Sequence, residues 1–161
     1  MKKVISIITI LVFSILPLSF GVVAVEPDEI SQLAQNQNIT YYIDGSYVIS
    51  TLSDDSSQNA AKASTKVGSR TNSFFNSNNV LQWTVKVTGT FSYTGSTSTC
   101  TASSVSYTIY NDSWKMKSAV ASKSGATAIG DFTVKYYLLL IPVQTEILRL
   151  TVKCSPSGVL S

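Results

Sequence analysis

Histidine is absent from this chain. Without an imidazole, Ser-His-Asp and Cys-His hydrolysis are excluded, as are most zinc and copper sites. Cysteine is scarce as well: Cys100 and Cys154 are the two thiols in 161 residues. Two thiolates alone do not complete a tetrahedral set, so no metal and no cofactor is expected. Acids are sparse from residue 62 onward, where Asp112, Asp131 and Glu146 are the three carboxylates. A pair for glycoside hydrolysis would have to come mainly from these, and in turns or on outward strand positions they read as solvated surface groups. A Ser-Lys dyad has many serines to draw on but no spacing that singles one out. The protein is therefore expected to be non-enzymatic.

Lysine and arginine are missing altogether from residues 25–61, a stretch that carries the six acids Glu26, Asp28, Glu29, Asp44, Asp54 and Asp55. From residue 62 onward, ten bases face three acids. Either the acidic segment folds back on the basic remainder, or the basic part faces an anionic partner such as a cell-wall polymer or a membrane surface. A mixed, solvated surface is the plainer reading of the same charges.

What the N-terminus does contain is a lysine pair, Lys2-Lys3, an apolar run over residues 4–20, and Gly21-Val22-Val23-Ala24 ahead of an acidic stretch. This is the pattern of a signal peptide over residues 1–24, with cleavage expected after Ala24 and a secreted, extracellular product. The run could just support an anchor helix in length, but Pro17 and the small residues at its exit argue against one. Export to an oxidising compartment predicts a disulfide between Cys100 and Cys154, which would stabilise the fold by about 4 kcal/mol through closure of a long loop.

Residues 25–52 read as an acidic N-terminal segment. Ile30, Leu33 and Ala34 fall at helical spacing, which predicts a short helix over residues 30–37. Asp44-Gly45 between two β-rich runs predicts a hairpin with a type I′ turn. Residues 53–66, rich in Ser, Ala, Asp and Asn, read as a flexible linker. Residues 67–161 then read as one β domain. Leu81, Trp83, Val85, Val87, Gly89, Phe91 and Tyr93 share one face of a long alternating run, and period two sustained that far marks a half-buried strand. The same alternation places Val105, Tyr107 and Ile109 together, then Trp114, Met116, Ser118 and Val120, then Ala128, Gly130, Phe132, Val134 and Tyr136, and last Leu148, Leu150, Val152 and Cys154. Strand after strand with short turns predicts an all-β, antiparallel β-sandwich or partly open barrel, held by the one disulfide.

The run from Val80 through Trp83, Lys86, Gly89, Phe91 and Tyr93 to Gly95, followed by Cys100, Trp114, Ala121-Ser122-Lys123-Ser124-Gly125 and the ending Cys154-Ser155-Pro156-Ser157-Gly158-Val159-Leu160-Ser161, resembles uncharacterised small secreted β-rich proteins of Gram-positive bacteria. The resemblance implies export, paired cysteines and an all-β domain. That group has no known activity to carry over.

Two surface features are candidate contact sites. Residues 138–143 are apolar on both strand faces and end near a proline; Tyr137, Leu139, Leu140, Ile141 and Pro142 would dip into a membrane or dock on a partner, or else fold over one end of the sandwich and close it. Lys115, Lys117, Lys135, Arg149 and Lys153 are the candidate anion contacts. Tyr110 and Tyr137 are the aromatics that read as outward in these strands, too few for base stacking, and no nucleic acid partner is expected. The functional expectation is a secreted interaction module on an anionic cell-surface polymer or membrane, with a bacteriocin- or toxin-like protein acting on membranes through the 138–143 tip as the alternative.

Overall fold

The computed structural model describes residues 36–56 and 64–161. The expected signal peptide, the helical spacing of residues 30–35 and the centre of the expected linker, residues 57–63, lie outside the described residues. Within them the alternating runs form eight strands: β1 (Gln37–Tyr41), β2 (Tyr47–Asp54), β3 (Thr65–Phe75), β4 (Leu81–Tyr93), β5 (Ser98–Ile109), β6 (Trp114–Ser124), β7 (Thr127–Leu138) and β8 (Ile141–Lys153). All pairings are antiparallel and between sequence neighbours; β1 to β5 make a five-stranded sheet and β6 to β8 a three-stranded one. Two antiparallel sheets packed through a shared core are consistent with the expected sandwich.

The inward face of β4 supplies Trp83, Val85, Val87 and Phe91, which meet Ala128, Phe132 and Val134 of β7 and Leu150 and Val152 of β8, all buried. Truncating one of the large rings to alanine would cost about 3–5 kcal/mol. Two glycines make the sheets' approach possible. A β-carbon on Gly89 would lie 2.5 Å from the Phe91 ring and 2.6 Å from Cβ of Ala128, and one on Gly130 would lie 2.9 Å from both the Phe132 ring and Val105. In each sheet a Gly-x-Phe step lets the ring fold back over its own strand against the other sheet.

Several expectations change. Ser53, Asp54, Thr65 and Lys66, expected in the linker, are strand residues, with Asp54 opposite Gly68 and Lys66 opposite Phe91. The hairpin of β1 and β2 is thus continuous with the larger sheet. Its strand β3 shows little apolar alternation, because pairing on both sides holds it and Leu160 of the C-terminal tail packs against Gly68. The hairpin turn is not type I′: Gly45 has φ +81° while Asp44 does not have positive φ. Tyr42 N donates to Ser46 O and Gly45 N to Tyr42 O, the longer loop in which only the glycine is left-handed. Gln37 opens β1, so the expected helix does not extend to that residue.

Cys100 and Cys154 are both free and buried, which corrects the expected disulfide. Their amides donate to the neighbouring carbonyls Gly125 O and Ala126 O, but each thiol turns to a nearby backbone oxygen, Cys100 Sγ to Ala102 O and Cys154 Sγ to Ser155 O. Burial pushes the Cys100 thiol above its ordinary 9.0. Beyond Cys154 the tail returns: Ser161 exchanges both backbone hydrogen bonds with Lys153.

Candidate functional site

The registers bring four connections to one end of the sandwich. Tyr41 pairs with Tyr47, Tyr47 with Phe75, and Phe75 with Leu81; Trp83 pairs with Ile109 and Trp114 with Tyr136. Stacking of Phe74 on Trp83 at 5.1 Å, with Trp114 edge-on to both and beside Tyr136, closes the core there. Because these rings already form the lid, the β7–β8 tip has nothing to cover and stands outside.

Every one of those four connections, or its edge, presents an exposed apolar residue: Ile43, Val80, Tyr110, and the tip from Leu138 to Ile141. Leu139 and Leu140 are 91% and 92% exposed. Leu138 pairs with Ile141, leaving a two-residue turn, and Leu139 adopts φ +59°. That is a position glycine fills at lower cost, since a β-carbon in the left-handed region clashes with the following carbonyl. Pro142 lies opposite Tyr137 on β8, an edge strand, where a missing N–H is tolerated.

Beside the tip, Lys115 of β6 lies directly opposite Lys135 of β7. A register shift between Met116 and Ser118 leaves Lys117 as the extra residue of a bulge, and its ammonium sits 5.1 Å from the centre of the Tyr137 ring. Bulges at sheet edges re-aim side chains in this way. The same bulge swaps the faces beyond it: Ala119 packs toward the core and Val120 is exposed, the reverse of a straight alternation. A groove of 590 Å³ runs past Lys115, Lys117 and Tyr137 to Leu139 and Leu140, bordered by Asp112 and Ser113.

The crossing from β5 to β6 that walls this groove is fixed by Gln82. Its carbonyl accepts from the amides of Tyr110 and Asn111, its Oε1 accepts from Asn111 Nδ2 at 2.7 Å, and its Nε2 donates to Val80 O. Alternation placed Gln82 on the outward face, yet it is buried.

The remaining candidate cations stand elsewhere. Arg149 is tied by two hydrogen bonds to Asp131, which holds that carboxyl below its ordinary value. Lys153 lies opposite Thr127 at the far end of the sandwich. On the β1 and β8 side of the loop end a second hollow gathers Tyr42, Ile43 and Phe74 with the acids Asp44 and Glu146. Burial, then Glu146 and Asp44, raise the Tyr42 hydroxyl above its ordinary 10.0. Each connection of the loop end therefore carries an exposed apolar residue, with lysines along β6 and β7 and the acids Asp44 and Glu146 along β1 and β8.

No family model, curated protein or solved structure matches the chain. Ile43, Val80 and Tyr110 were not among the candidate contacts in the sequence. Their signal was an apolar side chain within or beside a turn, which alternation had absorbed into strands for Ile43 and Val80. Tyr107, read as inward, is half exposed on β5. Among the described residues, no cluster of three acid or thiol ligands could hold a metal ion.

Proposed function

We propose that this is a secreted, non-enzymatic docking module that rests its loop end on an anionic membrane surface. The observation that carries the reading is Leu139, a leucine held at positive φ and 91% exposed, beside the lysines of β6 and β7. Apolar side chains at a rigid turn enter the interfacial layer, and nearby ammonium groups add about 1 kcal/mol each near anionic lipid. The acids Asp44 and Glu146 tilt the molecule so that the β6–β7 side of the end leads. Residues 1–24 would direct its export.

The test is co-sedimentation of the protein with phosphatidylcholine vesicles with and without phosphatidylglycerol. Binding is expected to the anionic vesicles alone, to weaken with salt, and to be lost in a Leu139→Asp, Leu140→Asp variant. Absence of binding at low ionic strength refutes the reading. A toxin-like action through the same tip calls for leakage of trapped dye; a two-residue turn reaches the interface without spanning the bilayer, so the dye is expected to stay inside.

A further inference from the structure

We infer that the groove between β6 and the β7–β8 tip is a discrete binding site for the phosphate of an anionic glycerophospholipid, held by Lys115, Lys117 and Lys135. The inference rests on the docking reading and deepens it from attraction by overall charge to recognition at one place.

Charge bookkeeping across the surface singles out these three residues. Lys66, Lys86 and Arg149 are held by Asp54, Asp55 and Asp131, while Arg70 and Lys123 donate to the backbone carbonyls of Thr151 and Thr101. Among the described residues, Lys115, Lys117, Lys135 and Lys153 make no such ion pair or hydrogen bond; Lys115 and Lys117 line the groove, Lys135 lies across the ladder from Lys115, and Lys153 is at the far end. Lys115 and Lys135 are directly opposite one another, an arrangement of like charges that destabilises a sheet unless an anion lies between them. The bulge adds Lys117, whose ammonium lies over the Tyr137 ring.

Two ammonium donors lining one groove, with a third on the facing ladder position, suit a phosphate, which offers several acceptor oxygens to point charges. One acid, Asp112, borders the same groove and would repel a bare anion that filled it, which favours a ligand holding its phosphate toward the lysines. At the other end of the groove the lining is apolar, where Leu139 and Leu140 stand exposed at the tip. A ligand with a phosphate at one end and acyl chains at the other satisfies both parts, whereas a soluble phosphate polymer would leave the leucines in water.

Charge-matched variants of the full chain test the inference. Lys115→Gln, Lys117→Gln removes two groove cations; Lys123→Gln, Lys153→Gln removes two at the far end, roughly 25 Å away along the strands and beyond screening range. On phosphatidylglycerol vesicles the groove pair is expected to weaken binding about thirtyfold, the equivalent of 1 kcal/mol per lysine, and the far pair less than twofold. Equal losses in both pairs would overturn the site while leaving membrane docking intact. Failure of the unaltered protein to bind any vesicle would instead remove the docking reading beneath it. Soluble glycerophosphoglycerol is the second arm: tight binding without vesicles, unaffected by Leu139→Asp, Leu140→Asp, would assign the groove to a polymer and overturn the lipid assignment. Lys135→Gln gives an independent readout. Relief of the lysine pair is expected to raise the melting temperature by about 1–4 °C while binding falls; a lower melting temperature would contradict the repulsion on which the site rests.

Discussion

Leu139 sits where a glycine would cost less, so its side chain and its backbone pull in opposite directions. Leu139→Gly is expected to raise stability by about 1 kcal/mol in chemical denaturation and to weaken vesicle binding tenfold or more, since a buried leucine contributes about 1.5–3 kcal/mol. A variant that gained neither stability nor lost affinity would make the leucine incidental. The cysteines give a second expectation at this scale. Both thiols are buried, and Cys100 is pushed toward its protonated form. A thiol reagent should therefore react slowly with the native protein and with two groups per chain in denaturant; none in denaturant would mean that a bond forms between them. Compartment and even count had pointed to a disulfide in the sequence, but neither carries the side-chain directions that decide whether two sulfurs meet.

The strands were legible wherever one face is buried and the other wet. In β4, β7 and the inner half of β8 the alternation named the core residues Trp83, Val85, Phe132 and Leu150, though it set the buried Gln82 of β4 outward and, on β5, the exposed Tyr107 inward. Over longer stretches it failed in β3 and β6, for different reasons. β3 is a strand because β2 and β4 pair with it on both sides, so Ser69 and Asn72 sit in it at no loss of register, and no apolar stripe announces it. Beyond the bulge in β6, an extra residue inverts the pattern, and Val120 faces outward in place of Ala119. The exposed tip was legible as apolar but not as exposed, because the rings that close that end come from four separate strands. Gln82 illustrates what side-chain hydrogen bonds add: it locks the β5–β6 connection, which among the described residues is the one that crosses between sheets. Gln82→Ala is expected to destabilise the protein by about 1–3 kcal/mol, with Asn111 left short of a partner. It should also weaken vesicle binding through the loosened groove wall, which amide exchange at Ser113 and Trp114 would register.

Charge acts on the whole molecule. Asp44 is held below its ordinary 3.8 by hydrogen bonds from Ser46, and Asp131 by those from Arg149. For Asp54, burial works the other way but is outweighed by Lys66 and Ser56. A carboxyl whose folded pKa lies below its unfolded one stabilises the fold above the unfolded value, and that contribution is lost as pH falls through the folded one. Stability is thus expected to be level through the neutral range with respect to these groups and to decline below about pH 4. Asp54→Asn should flatten part of that decline, and an unchanged acid profile would show that the ion pair with Lys66 contributes little. The division of the sequence into acidic and basic parts was correct as composition. Of its alternatives, folding back is the one that β2 and β3 realise, in one sheet where Asp54 and Asp55 meet Lys66 and Lys86.

Strand length gives the loop end a further meaning. β4 and β8 each run for 13 residues, about 40 Å at the rise of an extended chain. A molecule standing on Leu139 and Leu140 would carry its opposite end, with the β6–β7 turn and the tail that folds back onto Lys153, that far from the lipid. There the field of the membrane has decayed over several screening lengths. In the proposed docking, the sandwich would serve as a post of fixed height, whose far end would face the surroundings free of the lipid charge at its foot.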